Sequence, residues 1–338
     1  MIYTIRPTFY RVWYTIENPR VTSEVCKTSM VNPERSLPEC LLITGASGLV
    51  GRALVAQLQR EFPNVELRGL SRHPHRHGLD GVRMFAWNPD EHSLDPEALD
   101  GVGGIFHLAG ETVAQRWTPE VRRRIRSSRI AGLGLLRDHC DRLGLHPRLV
   151  SASAIGWYPD SPEALDETAP CGPGFLSEIV RDWEEAAAEF GALGGGHASL
   201  RIGLVLAAGG GVLGRLSPLY RWGLGSPLAP GTQWQSWVHI EDLVSLFLHA
   251  MGHTDWSGAY NAVAPESVPQ AEFSRTLARV MRRPHVLPAV PQFALKLLFG
   301  EAAQALLASN RIVPARTEAS GFAFRHPQLE EALTDLLR

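Results

Sequence analysis

The chain has 338 residues, 44% of them hydrophobic, and a formal net charge of -2, which suits one large domain or two lobes around a full core. The near-balanced charge gives no drive toward nucleic acid or an anionic membrane, and no apolar run approaches the roughly 20 residues that span a bilayer. Cys26, Cys40, Cys140 and Cys171 are scattered without a C-x-x-C pair, which argues against a disulfide scaffold or a zinc ribbon and fits a reducing cytoplasm.

Residues 1–39 hold Tyr3, Tyr10, Trp13 and Tyr14 among Pro, Thr and Arg without a clear period. They lack the apolar region and cleavage site of a signal peptide and read as a poorly ordered extension, with Met30 as an alternative start. The chain then becomes regular. An apolar run at Leu41–Thr44 enters a turn with glycines at 45, 48 and 51, and a helical pattern follows from Leu49. A dinucleotide site needs this order of events. Gly45 permits the tight turn, Gly48 lets the backbone approach a pyrophosphate, and Gly51 lets the helix pack against the strand. The phosphates then sit on the unpaired amides of the helix start, at Ser47, Gly48, Leu49, Val50 and Gly51.

Further strands are predicted at Glu66–Leu70, Arg83–Trp87, Gly104–Leu108, Arg148–Ala152 and Ala198–Leu204, with helices near 49–61, 95–100, 118–144 and 174–192. Strand and helix in repetition predict a Rossmann-type, doubly wound parallel α/β sheet. Past residue 205 the alternation breaks down. Gly209–Gly211 opens a Gly- and Pro-rich region, and helical patterns return at 240–251, 269–282, 292–308 and 329–337. The organisation expected is a nucleotide-binding domain over 40–238 and a smaller mixed C-terminal lobe over 239–338, closing a substrate cleft at the carboxyl ends of the strands. The long helices near 118–144 and 174–192 are candidates for a homodimer seam.

The second strand ends at Leu70-Ser71-Arg72. A site for NAD usually places an acid there for the ribose 2′-hydroxyl, whereas an arginine accommodates a 2′-phosphate. Arg72 can fork onto that phosphate and Ser71 can add a hydrogen bond, which points to NADP(H). His73, His75 and His77 alternate on the same loop with no carboxylate or cysteine beside them, so no metal is expected there.

Several motifs now stand in order: LLITGASGLVG at 41–51, AWNP at 86–89, HLAGE at 107–111, RWT at 116–118, SSRI at 127–130, SASAIGWY at 151–158, LRIGLVL at 200–206, QWQSWVHIED at 233–242 and ASGFAFRHP at 319–327. Over about residues 40–338 the chain resembles the extended and atypical short-chain dehydrogenase/reductases, in particular the "epimerase family protein" group. The resemblance implies that Leu108, Ala109 and Gly110 lie along the cofactor, Asn88 near the adenine, Ser151 by the nicotinamide, and Arg201 and Gly203 at the cofactor's far end. It also matches His239 and Asp242 to a V-H-x-x-D helix start, where the histidine is structural or catalytic and the aspartate can cap the helix. Trp234 and Trp237 are candidates for a substrate pocket or for lobe packing.

Active members of that superfamily carry a Tyr-x-x-x-Lys pair on the helix after the fifth strand. This chain has none. Of 33 basic residues only Lys27 and Lys296 are lysines, and Phe175 and Ile179 occupy the two positions. Ser153 matches the superfamily's serine. Tyr158 and Glu111 are the remaining candidates for proton transfer. Two functions follow: an NADP-dependent oxidoreductase or epimerase of a small carbonyl or sugar-nucleotide-type substrate, or a non-catalytic NADP(H)-binding redox sensor or regulator.

Overall fold

The apolar run at 40–44 becomes β1 (Cys40–Thr44), with every residue buried, as a central parallel strand covered on both faces requires. The computed structural model describes residues 36–76 and 78–338. Residues 1–35 of the expected extension, and His77, lie outside the described residues. After β1 come α1 (Leu49–Glu61), β2 (Glu66–Ser71), β3 (Arg83–Asn88), β4 (Ser93–Leu94) and β5 (Gly104–His107). α2 (Pro119–Leu143) follows. It starts where the Thr118 hydroxyl accepts from the Val121 amide with Pro119 in the first turn, and it stops at Gly144 with φ +64°. These are ordinary start and stop signals of a helix. Next are β6 (Arg148–Ala154), β7 (Ser161–Leu165), α3 (Phe175–Gly191) and β8 (His197–Ile202).

The main sheet runs β12-β8-β6-β5-β1-β2-β3-β4, where β12 is Gly258–Ala262. All pairs are parallel except β3 with the edge strand β4. α2 packs on α3 over one group of strands, and α1 packs on α5 (Ile240–Gly252), which also touches β6 and β8. The chain leaves β1 in one direction through β2 and β3, then crosses to β5 on the other side. The switch point therefore lies between β1 and β5.

Ala198–Leu204 is not one strand. β8 ends at Ile202 and β9 (Leu204–Ala207) starts a second sheet with β11 (Trp237–His239). The chain steps sideways at Gly203, where a Cβ would lie 2.6 Å from the Ser236 carbonyl oxygen. The Gly-rich stretch that reads as loop carries α4 (Gly211–Arg221). The helical pattern at 95–100 shrinks to one 3-10 turn at Pro96–Leu99, capped by Asp95. The pattern at 292–308 splits into α7 (Gln292–Phe299) and α8 (Ala303–Leu307) around Gly300, at φ +59°.

The remaining elements are β10 (Trp234–Gln235), β13 (Val268–Pro269), α6 (Gln270–Val280), β14 (Asn310–Ile312), α9 (Ala315–Ala319) and α10 (Leu329–Leu337). Leu213, Trp237, Phe273, Leu277 and Leu333 form their own core beneath α4, α6 and α10. The segment expected to begin a separate lobe also supplies α5 and the edge strand β12 to the main layer. Among the described residues no helix is long and apolar enough to cross a membrane.

Candidate functional site: a cleft at the switch point

Gly45 has φ +70°, and a Cβ there would lie 2.8 Å from the backbone of Leu108. The turn after β1 therefore touches the end of β5, which only a glycine permits. At Gly51 a Cβ would lie 2.3 Å from the Gly45 carbonyl oxygen, so α1 can start directly behind the turn. No side chain caps α1 and its first turn holds no acid. The amides there face outward with the positive end of the helix dipole, as an anion requires.

β1 and β5 are fastened at this point by Thr44. Its Oγ1 accepts from the amides of Leu108 and Ala109, both at 3.1 Å, and lies 3.0 Å from His107 Nδ1. With both acceptor positions taken, the hydroxyl proton goes to Nδ1 and the ring proton is left on Nε2. His107 is fully buried, and burial pushes its pKa down to about 4. This pair holds the Leu108–Gly110 turn in place, and the sequence motifs did not single it out.

Above the switch point lies a cleft of about 370 Å³. Gly45, Ser47 and Gly48 form its floor. Leu70–His73 supply one wall and Trp87, Pro89 and Asp90 another. Leu108–Glu111 and, from α2, Arg124, Ser127 and Ser128 close it. The Ser71 hydroxyl accepts from the His73 amide at 3.1 Å. Arg72 is exposed and makes no hydrogen bond or ion pair with another described residue. Asn88 is adjacent, but its Oδ1 accepts from the Asp90 amide and caps a short turn, so its side chain serves the loop. The Leu49 side chain packs toward Gly210, while Val50 packs on the core.

Four expected site residues lie elsewhere. Ser151 is fully buried and donates to the Ala152 carbonyl. The Ser153 hydroxyl donates to Glu184 Oε1 at 2.5 Å. Arg201 holds the same carboxylate with two hydrogen bonds of 2.8 Å and donates to the Tyr158 hydroxyl at 2.9 Å. That hydroxyl donates onward to Asn261 Oδ1 at 2.7 Å, and the Arg201 guanidinium lies 4.0 Å from the Trp157 ring centroid. Burial pushes Tyr158 up to about 12, against the pull of Arg201. Ser153, Tyr158 and Arg201 line neither the cleft nor the cavity described next. They form a buried joint between β6, β8, α3 and β12. A tyrosine in the turn after one motif strand and an arginine on another gave no sign that Glu184 and Asn261 would claim them.

A second, largely apolar cavity of about 300 Å³ opens past the ends of β6 and β8. Ile179 lines it, and Phe175 packs edge-on against Trp117 at 5.2 Å. The positions of the usual Tyr and Lys are thus part of an apolar cluster. Trp234 lines this cavity, while Trp237 is fully buried in the second core. Glu111, half-buried, lines the cleft above the switch point and accepts from Gln115 at 2.9 Å.

His239 is a structural residue. Its Nδ1 accepts from the Glu241 amide at 3.2 Å, capping α5, and its ring stacks on His326 at 3.7 Å. Ligand atoms of His239, Glu241 and His326 lie within 4.8 Å of one another. An accepting Nδ1 leaves the proton on Nε2, which takes His239 out of a metal ligand set. Asp242 does not cap the helix with its side chain but accepts from the amides of Arg325 and His326 at 2.8 and 2.9 Å.

A doubly wound sheet with a glycine turn at its switch point and a polar cleft above it defines a dinucleotide-binding α/β protein. Comparison with known proteins agrees. Residues 41–176 match the NAD dependent epimerase/dehydratase family, and residues 290–336 match a domain of unknown function (DUF1731). The chain is 33% identical to the epimerase family protein SDR39U1 homolog, chloroplastic, of Arabidopsis thaliana, over 88% of this chain and 86% of that one. It is 35% identical to the epimerase family protein Mb2239 of Mycobacterium bovis, over 86% and 95%. The human epimerase family protein SDR39U1 (isoform 2), solved with NADPH, aligns with a TM-score of 0.77 at 28% identity, covering 88% of this chain and 99% of that one. The chain belongs to the epimerase family proteins, within the NAD dependent epimerase/dehydratase family.

Proposed function

We propose that the chain binds NADPH in the cleft over β1, β2 and β5 and acts on a small carbonyl compound as an oxidoreductase or epimerase. The observation that carries the cofactor reading is Arg72. It lies at the end of β2, lines the cleft beside Ser71 and has no carboxylate engaged with it among the described residues. A 2′-phosphate suits such a fork, and an NAD site would place an acid there. The amides of α1 would take the pyrophosphate and the Leu108–Gly110 turn would carry the nicotinamide end. When bound, NADPH supplies the hydride. Of Ser153, Tyr158 and Glu111, Glu111 alone lines the cleft, so it is the proton carrier this reading assigns.

Arg72→Asp tests the cofactor. It should weaken NADPH by about 2–3 kcal/mol and leave NADH nearly unchanged, because only the phosphate contact is lost. Titration of nicotinamide fluorescence reads both affinities, and an equal loss for the two cofactors would overturn the assignment.

A second reading, a sensor that binds NADP(H) without turnover, is favoured by the engagement of Ser153 with Glu184 and of Tyr158 with Asn261. Tight NADPH binding with no oxidation across a panel of carbonyl compounds would select it.

A further inference from the structure

The apolar cavity contains one charged side chain among its lining, Arg129 of α2. Its Nη1 donates to the carbonyls of Glu111 and Ile125 at 3.0 and 2.9 Å. Nε and Nη2 make no hydrogen bond among the described residues, and no described carboxylate lies within ion-pair distance. The guanidinium is 5.2 Å from the Trp183 ring centroid, and its Cζ would lie 3.2 Å from a Cβ on Gly110. Arg129 therefore stands between the end of the cofactor cleft and the cavity. Burial brings its pKa down to about 10, so it is still a cation at neutral pH. The Glu111 carboxylate acts on it only from beyond ion-pair distance, and a largely desolvated cation with two free donor nitrogens is costly unless a ligand completes it.

The walls of the cavity narrow what that ligand is. Ala154 and Gly203 line it at the strand ends, and Trp234 of β10 and Ala308, just past α8, line it as well. At about 300 Å³ the space is at the small end of ligand sites. A nucleoside diphosphate needs several cationic or amide donors, and this lining offers one cation set in apolar surface.

Building on the NADPH reading above, we propose that this cavity is the substrate site and takes a small compound with an apolar body and a single carboxylate, which Arg129 binds. Nucleotide sugars are excluded from it. The test uses full-length protein saturated with NADP⁺ and calorimetric titration with 2-oxo-4-phenylbutanoate, its ethyl ester and UDP-glucose. The acid should bind at least 10-fold more tightly than the ester, and UDP-glucose should give no heat. Arg129→Gln should erase the preference for the acid, and Arg129→Lys should restore part of it. Ala308→Phe, which leaves the cation in place and fills the cavity, should abolish binding of acid and ester alike. In all three variants NADP⁺ affinity should stay within about 3-fold.

Binding of UDP-glucose but not of the acid overturns the proposal, and so does a preference for the acid that survives Arg129→Gln. A loss of NADP⁺ affinity confined to Arg129→Gln, with the acid unaffected, would assign the guanidinium to a cofactor phosphate and overturn it as well. Failure of the wild-type protein to bind NADP⁺ at all would count against the cofactor reading. NADP⁺ binding without acid binding would count against this one alone.

Discussion

At the residue scale, the outcome for Tyr158 turns on its surroundings. Its hydroxyl sits between a donor, Arg201, and an acceptor, Asn261. A group so engaged contributes to stability, and its proton is already given to Asn261. Tyr158→Phe leaves Arg201 short of an acceptor and Asn261 Oδ1 short of a donor in a buried place. The expected cost is about 1–3 kcal/mol in denaturant unfolding, with NADPH affinity and any turnover unchanged. A variant of normal stability that had lost turnover would restore Tyr158 to the chemistry. Ser153 belongs to the same assembly through Glu184. What this chain keeps of the superfamily's serine is its place on the strand, while its hydroxyl serves the joint between β6 and α3.

At the scale of elements, the seam between β1 and β5 decides whether the cleft exists. Thr44 and His107 join the two strand ends directly, and the neutral ring of His107 is part of that joint. The unfolded chain titrates this ring near 6.5, whereas burial lowers it to about 4 in the fold. Above pH 6.5 both states are neutral and stability is full. As the pH falls from 6.5 toward 4, the unfolded chain gains a proton that the fold refuses, and stability drops. Below 4 both states are charged and this contribution levels off. The loss across the window is about 3 kcal/mol, and urea unfolding at pH 7, 5.5 and 4.5 measures it. His107→Asn should flatten the profile, and an unchanged slope would assign the titration to another group. The glycine turn and β1 were legible because a fully buried strand is a continuous apolar run and because each glycine answers to a backbone contact. α4 was not, because it opens with glycines and contains Pro218, and is held by packing rather than by propensity. The Ser153–Glu184–Arg201–Tyr158 assembly was also hidden, since its members come from β6, α3, β8 and the turn after β6 and meet only once the sheet has formed.

At the scale of the whole molecule, the C-terminal segment returns across the end of the sheet and is tied to it by buried polar groups. β14 pairs with β7, the Asn261 amide nitrogen Nδ2 donates to the Val313 carbonyl, and Thr317 donates to the Asn261 carbonyl. The same residues 290–336 that match a domain of unknown function thus supply part of the lining of the apolar cavity through α8 and β14. Asp242 is a further such tie. It is fully buried and takes two backbone amides, those of Arg325 and His326, just before α10 begins. Asp242→Ala leaves both amides without an acceptor, and the expected cost is about 2–4 kcal/mol. Asp242 and the two amides it holds are not among the residues that line the cofactor cleft, so NADPH affinity should hold. Hydrogen exchange followed by mass spectrometry should show faster exchange confined to peptides covering 322–338. Protection lost equally in the β1–β2 peptides would mean that the C-terminal segment supports the nucleotide cleft as well as the cavity, and that the two sites stand or fall together.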